Sequence, residues 1–295
     1  MFRFKQKNIF AVAGLILTIV LFGLDANHEV NERLSEVAIQ HQTYKKTVEM
    51  IMTSAEYSSK CTKAVAELHQ AQPKSMIEIN TRLLECTSDF IDQFTVIFDD
   101  KGNQTFASFA SYFVPKISIS DRPYFKEAIK GKLHGWYGPY ASRNTERPAF
   151  ANWQRISSDD FDGIAVAVLS LTFMDDQCKI IQRDALVQSL LVTDEGKIVT
   201  SCLNSITRDT NFNDSVLKGR LKFSFTESLT TEIDNDDFRI LVSKINVHAS
   251  FYVVTLIDKT DIMSYVLRVL VLKIILFVMI VMLIIFGIRG RSWTF

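Results

Sequence analysis

Two apolar runs of helix length, one near each end, constrain this 295-residue chain more than any motif does. The first covers 9–24 behind Arg3, Lys5 and Lys7; the second covers 269–288 ahead of Arg289 and Arg291. About twenty apolar residues are needed to cross a bilayer, so the first run is short, and signal peptides share its flanks. No small-x-small cleavage pattern follows it. Phe22, Gly23 and Leu24 lead straight into Asp25, and an uncleaved anchor is expected. Lys273 sits near the outer end of the second run, where its stem can snorkel to the head groups, and Arg268 marks the same boundary. Basic residues on both terminal flanks place both tails, 1–8 and 289–295, in the cytoplasm. The stretch between the runs is then extracytoplasmic. A formal net charge of +0 hides this asymmetry. Without a basic stripe or a helix-turn-helix pattern, no nucleic-acid partner is expected.

Four cysteines, Cys61, Cys86, Cys178 and Cys202, suit an oxidising compartment. They allow three pairings. Cys61 and Cys86 fall on consecutive predicted helices and are the first pair to expect. Cys178 and Cys202 are near neighbours and can form a second. Four buried free thiols is the alternative. There is no CxxC, which argues against redox or zinc chemistry.

Between the runs, 25–72 reads as one long helix, free of proline and glycine as far as position 70. Leu34, Val37, His41, Tyr44, Val48, Ile51, Ala55, Ser58, Thr62, Val65 and His69 recur at steps of three and four. The polar members dilute this seam, so the helix is expected to pack partly on its own domain and partly on a twin. Pro73 opens a second helix with Met76, Ile79, Leu83, Cys86 and Phe90 on one face. The period then changes. Residues 94–99 and 104–111 read as a hairpin about the turn Asp100-Lys101-Gly102-Asn103, with further strands at 136–140, 149–156 and 163–171. A second hairpin, 189–193 and 197–202 about Asp194-Glu195-Gly196, is followed by strands at 221–226, 238–245 and 251–257. Each unit ends at an acidic helix start, Asp175-Asp176 or Asp258-Lys259-Thr260-Asp261. The fold class is therefore α+β: a long N-terminal helix and two tandem antiparallel sheets, flanked by two membrane helices.

The densest special sequence is 118–155. Ser120 or Asp121 can cap a helix whose first turn accepts Pro123; the helix runs from Tyr124 to Ile129 and stops at Gly131. Trp136, Tyr137, Gly138, Pro139 and Tyr140 follow, then Arg143, Arg147, Trp153 and Arg155. Flat apolar walls, phenol donors and guanidinium forks are the composition of a cleft for a small carboxylate, though aromatics at strand spacing also serve as core.

The stretch DRPYFKEAIKGK, with WYGPY, PAFANWQRI and DGIAVAVLSL after it, resembles the double Cache (PDC, tandem PAS-like) sensor family of bacterial chemoreceptors, histidine kinases and diguanylate cyclases. The resemblance is sharpest at 121–125 and 162–171. It implies PAS-like units at 73–184 and 185–260, the first farther from the membrane and holding a ligand, and a juxtamembrane and membrane helix over 261–288. It also implies a homodimer through the long helix and a two-pass protein of the bacterial inner membrane with a periplasmic body. The ligand-binding residues it implies are Arg122, Tyr124, Phe125 and Tyr140; composition adds Trp136, Arg143, Trp153 and Arg155. The amino-acid-binding branch carries an aspartate on the unit's last strand, where Val168 stands here, and an acidic residue where Ser142 stands. A buried ammonium without a carboxylate is costly, so a carboxylate or another non-amino-acid metabolite is the expected ligand.

No catalytic constellation stands out, and neither enzyme activity nor a cofactor is expected. The five histidines are scattered, with no metal-ligand spacing. Asp234-Asn235-Asp236-Asp237 reads as a solvated turn rather than a calcium loop. The few residues after 288 cannot hold a kinase, cyclase or methyl-accepting domain, so the output is expected from a longer form of the chain or from a partner. A ligand-independent scaffold or inhibitory subunit is the alternative function, and a doubly tethered enzyme ranks last.

Overall fold

Nothing between Phe2 and Ala71 stops a helix: the stretch contains no proline, and its glycines, Gly14 and Gly23, are isolated. It forms one 70-residue helix, α1 (Phe2–Ala71), which makes the first apolar run and the long helix a single element. The computed structural model describes residues 2–87, 91–110, 116–157, 162–182, 187–202, 210–217, 230–234, 238–247 and 251–291, with side chains described from 22 to 279 apart from 230 and 231. The side chains of the run at 9–24 lie outside that set.

After α1 come α2 (Met76–Glu85), β1 (Gln93–Phe98), β2 (Gln104–Ala107), α3 (Pro123–Ile129), β3 (His134–Ala141), β4 (Pro148–Arg155), β5 (Ile164–Ser170) and α4 (Leu171–Ile181). Then follow β6 (Val187–Thr193), β7 (Ile198–Ser201), α5 (Phe212–Ser215), β8 (Thr230–Asp234), β9 (Phe238–Lys244), β10 (Phe251–Asp258) and α6 (Lys259–Arg291). The two sheets have matching orders, β2-β1-β5-β4-β3 and β7-β6-β10-β9-β8, so the weak repeat of hairpins marks a repeated topology. By its contacts the chain divides into two units: Met1–Ile39, Ile233–Arg239 and Ile257–Phe295 form one, and Gln40–Glu232 and Ile240–Leu256 form the other.

Several local expectations need correcting. Ser75 caps α2, accepting from the amide of Glu78, so Pro73 precedes the helix and Met76 is exposed, while Ile79, Leu83 and Cys86 are buried. Ser170 caps α4, which places Asp175 and Asp176 inside the helix instead of at its start. Serine competes well for that position because its hydroxyl reaches the free amides of the first turn. The strand at 221–226, Phe90 and the turn at 235–237 lie outside the described residues; β8 was not anticipated. The turn after β1 is as expected, with the Asp99 carboxylate accepting from the amides of Lys101 and Asn103. Gly163, with φ of 123°, enters β5 where a Cβ would overlap the Phe98 carbonyl, so only glycine fits. Both disulfides form, Cys61–Cys86 and Cys178–Cys202, with Cα separations of 5.6 and 5.1 Å.

Within the larger unit, α1 buries its seam on both sheets. Val48, Ile51, Met52 and Ala55 supply the apolar part. The polar members each find a partner. His41 bonds Thr255 through Nδ1 and Ser243 through Nε2, both at 2.8 Å, and Ser189 meets Thr255 at 3.1 Å. The Tyr44 hydroxyl meets Thr200 at 2.8 Å, Ser59 donates to Asn152, and Gln93 donates to Ser58. Burial raises Tyr44 to about 12, so it stays a neutral phenol.

In the smaller unit, α1 and α6 run antiparallel. Phe22 meets Phe277 edge-on at 6.5 Å, Asp25 pairs with Lys273 at 2.7 Å, and Arg33 donates to the Tyr265 hydroxyl at 2.6 Å. Lys259 also pairs with Asp234. Among the described residues one helix, over Lys259–Met279 with mean hydropathy 2.3, is long and apolar enough to cross a membrane.

His41 is 2% exposed, and burial lowers its imidazole from the ordinary 6.5 to about 4, Lys45 adding to the shift. Between those values the unfolded chain holds a proton that the folded one lacks. Stability therefore falls as pH drops through 6.5 and levels off below about 4, a loss of about 3 kcal/mol. Urea titrations from pH 7 to 4 check this: His41→Asn should remove that part of the slope, and a variant with the parent's full pH dependence would refute it.

Candidate ligand-binding site

Pro123 sits in the first turn of α3, where its missing amide costs nothing. The cap position belongs to Arg122, in extended backbone with no side-chain cap bond, and neither Ser120 nor Asp121 caps as expected. Their side chains are engaged elsewhere. Ser118 and Ser120 share a hydroxyl contact, and Asp121 takes Nη2 of Arg143 at 2.7 Å. Arg143 also donates to the Ser118 carbonyl. In the opposite direction Arg122 donates to the Ala141 carbonyl at 3.0 Å. Two arginines thus fasten the loop after β3 to the segment leading into α3. The bond from Arg143 holds the Asp121 carboxyl below its usual range and raises the guanidinium in turn.

Beneath this clasp lie three phenols. Tyr124 and Tyr137 have ring centres 4.9 Å apart, Tyr137 and Tyr140 5.5 Å, Tyr124 and Tyr140 6.5 Å. Arg122 lies over the Tyr140 ring at 5.1 Å. Burial pushes Tyr124 and Tyr140 well above the usual tyrosine range, and Arg122 opposes the shift only in part, so both stay neutral. The Nε–H of Arg122 is buried and has no partner among the described residues.

Tyr137 and Tyr140 are three residues apart, and plain strand alternation would send them to opposite faces. The register shifts between them: Tyr137 faces Ala151 and Tyr140 faces Ala149, two apart on β4. This bulge, at Gly138-Pro139, puts both rings on one side. A Cβ on Gly138 would strike the Phe150 ring.

None of the three phenols lines the hollow of about 50 Å³ in the same sheet, but Ala149, opposite Tyr140 on β4, does. Phe94, Val168 and Ala149, from β1, β5 and β4, form its apolar lining with Pro148. Thr145, Arg147, Asp92 and Ser170 complete it. At this volume it holds a water or two.

The residues singled out in the sequence therefore separate. Arg122, Tyr124 and Tyr140 come together, with Arg143 at the rim. Phe125 and the fully buried Trp153 lie in the core of the same sheet face, and Arg155 donates to the Ala128 carbonyl of α3 at 3.3 Å. Trp136 turns to the other face, where its Nε1–H donates to Glu56 at 3.2 Å. Sequence reasoning placed Tyr137 and Arg147 in the cleft composition without selecting them as ligand residues, and it missed Phe94 and Ala149; the Gly-Pro pair was the signal for Tyr137.

Removal of the clasp is measurable. Arg143→Ala should speed exchange of the Ser142 and Glu146 amides, bonded within this loop at 2.9 and 2.7 Å, by about tenfold. Unchanged exchange would mean that the loop is held by its own turn.

No family model matches the sequence, and no curated protein matches it. Solved structures do match in fold. The extracellular domain of rpHK1S-Z16, a candidate histidine kinase, superposes with a TM-score of 0.62 at 17% identity, over 79% of this chain and 97% of that one. The ligand-binding domain of the Pseudomonas fluorescens chemoreceptor CtaA, solved with L-isoleucine, gives 0.57 at 14%, over 79% and 96%. That of the Pseudomonas aeruginosa chemoreceptor PctB, solved with L-Arg, gives 0.54 at 15%, over 78% and 95%. With its long helix and two matching five-stranded sheets, this chain has the double Cache fold of chemoreceptor and histidine-kinase ligand-binding domains.

Proposed function

We propose that this protein is a membrane-anchored extracytoplasmic sensor that binds a small carboxylate beside Arg122, Tyr124 and Tyr140 and acts by binding rather than catalysis. The observation that carries this reading is Arg122: a charge over the ring of Tyr140, with one buried N–H that has no partner among the described residues. A carboxylate would supply that missing acceptor. Val168 lines the hollow and gives an ammonium group no partner. Asp92 lines it too, but it is exposed and would leave an ammonium in water.

The hollow is too small for a metabolite as it stands, so binding requires the tyrosines or the clasped loop to move. A ligand shifts an equilibrium only by its difference in affinity for two states, and this displacement is that difference. The antiparallel register of α1 and α6 suggests how the signal meets the membrane. If 9–24 lies in the bilayer, its partner stretch on α6 begins just after Lys273. Asp25 and Lys273 then share the outer boundary, where paired charges keep contact with water. Both termini are then cytoplasmic.

Calorimetry on the purified full chain with acetate-sized to succinate-sized carboxylates tests the ligand. Saturable binding is expected, weakened at least tenfold by Arg122→Ala and by Tyr124→Ala. Binding that ignores both changes, or no binding across the series, would favour the ligand-independent scaffold.

A homodimer through α1 is part of the same proposal. Met50 and Tyr57 are 62% and 68% exposed, with Leu68 at 40%, at intervals of seven and eleven residues that keep them on one stripe. Tyr57→Asp should shift the full chain in detergent toward monomer by light scattering. An undisturbed dimer would assign the interface to another surface.

A further inference from the structure

The lining of the small hollow is of two kinds. Phe94, Ala149 and Val168 stand on β1, β4 and β5, strands paired with one another along their length. Thr145 and Arg147 stand on the β3–β4 loop, 142–147, which belongs to no ladder. Among the described residues, the side-chain bonds that tie this loop to another segment all come from Arg143. It donates to the Ser118 carbonyl and pairs with Asp121 at 2.7 Å. The same arginine stands over the phenols: burial raises Tyr124, and Arg122 and Arg143 both oppose that shift, so both guanidiniums lie close to its hydroxyl.

The pair that holds the loop down is weak. Its side chains are 39% and 62% exposed, and an ion pair so open to water shifts an equilibrium by about fivefold at most. Closure also leaves hydrogen bonds unmade. The Nε–H of Arg122 and the Oδ1 of Asn144, inside the loop, are buried with no partner among the described residues. Each would gain water or a ligand if the loop lifted, so both count against the closed arrangement. A weak contact set against a standing cost is the balance of a gate.

We propose that 142–147 is a gate latched shut by the Asp121–Arg143 pair, and that this latch makes the free protein self-inhibited, since an anion reaches Arg122 only when the gate is open. The identity of the anion rests on the carboxylate reading; the gate rests on the clasp. Lifting the loop also removes Thr145 and Arg147 from the hollow, which is how a space for a water or two becomes one for a metabolite. Apparent affinity scales with the fraction of molecules that are open, so weakening the latch tightens binding. A residue that held the ligand directly would do the reverse when removed.

Hydroxyl-radical footprinting of the ligand-free full chain in detergent micelles, read residue by residue, tests the gate. Tyr124 and Tyr140 should oxidise at least twofold faster in Asp121→Asn and in Arg143→Gln. The double variant should be no faster than either, because all three lack the same contact. Trp153, fully buried in the same sheet, should oxidise at an unchanged rate. By calorimetry, succinate should bind both single variants two- to fivefold tighter. Plain electrostatics would move the two in opposite directions, since one removes a negative charge and the other a positive one. The gate is overturned by unchanged oxidation of the tyrosines, by an increase in only one of the two variants, by a matching rise at Trp153, or by opposite shifts in succinate affinity. Faster oxidation in both variants, with no succinate bound by any form, upholds the gate and refutes the carboxylate reading.

Discussion

The buried polar residues of α1 are the constraint on which the larger unit depends. His41, Tyr44, Ser58 and Ser59 face the sheets from a helix stripe that an apolar core would fill with leucine. A buried hydroxyl or imidazole is tolerated only when its hydrogen bonds are made, and leaving one unmade costs about 1–3 kcal/mol. Here the partners come from both sheets: Thr255, Ser243 and Thr200 from one, Asn152 and Gln93 from the other. Turning the helix by one residue, about 100°, would strand all of them together. Apolar packing alone would tolerate such slippage far better. The polar stripe thus fixes the rotational setting of α1 against two sheets at once.

The side of the first sheet that carries α3 and the three phenols follows a different logic. Its charges are at the rim, and its interior is aromatic and neutral. Arg143 and Asp121 neutralise one another in water, where the pair contributes little to stability and mainly sets the loop's position. Arg122 is the exception, reaching inward over Tyr140. Its charge is offset by a carbonyl and a ring face in place of a carboxylate, an arrangement that leaves room for an incoming anion. Val168 stands where the amino-acid-binding branch was expected to carry an aspartate, and it lines the hollow.

Much of this was legible in the sequence. The two hairpins are written in their turn residues, and both cystines in the placement of four cysteines. The long helix follows from a proline-free run, and its seam from a three-four period; of the polar residues that dilute that seam, His41 and Ser58 are bonded by the sheets, Thr62 bonds its own helix and His69 the amide of Lys74. What failed was local competition. Asp175-Asp176 looked like a helix start because acidic residues favour first turns, but Ser170 lies at the strand's end and takes the cap. Ser120 and Asp121 looked like caps because the next proline suits a first turn, but Arg143, more than twenty residues away, claims Asp121. Composition around 118–155 could not sort pocket from core, because that depends on a bulge. Counting by twos from Tyr137 puts Tyr140 on the wrong face, and it puts Trp136 correctly on the other.

That alternation gives β3 its particular place. Tyr137 and Tyr140 stand on one face among the phenols, and Trp136 on the opposite face against Phe150, Phe251 and Glu56. A strand is stiff along its length and its neighbouring side chains are fixed to one backbone, so displacement on one face is displacement on the other. Under the proposed function, a shift of the β3 backbone that moves the tyrosines would carry with it the indole that meets Phe251 of the second sheet and Glu56 of α1.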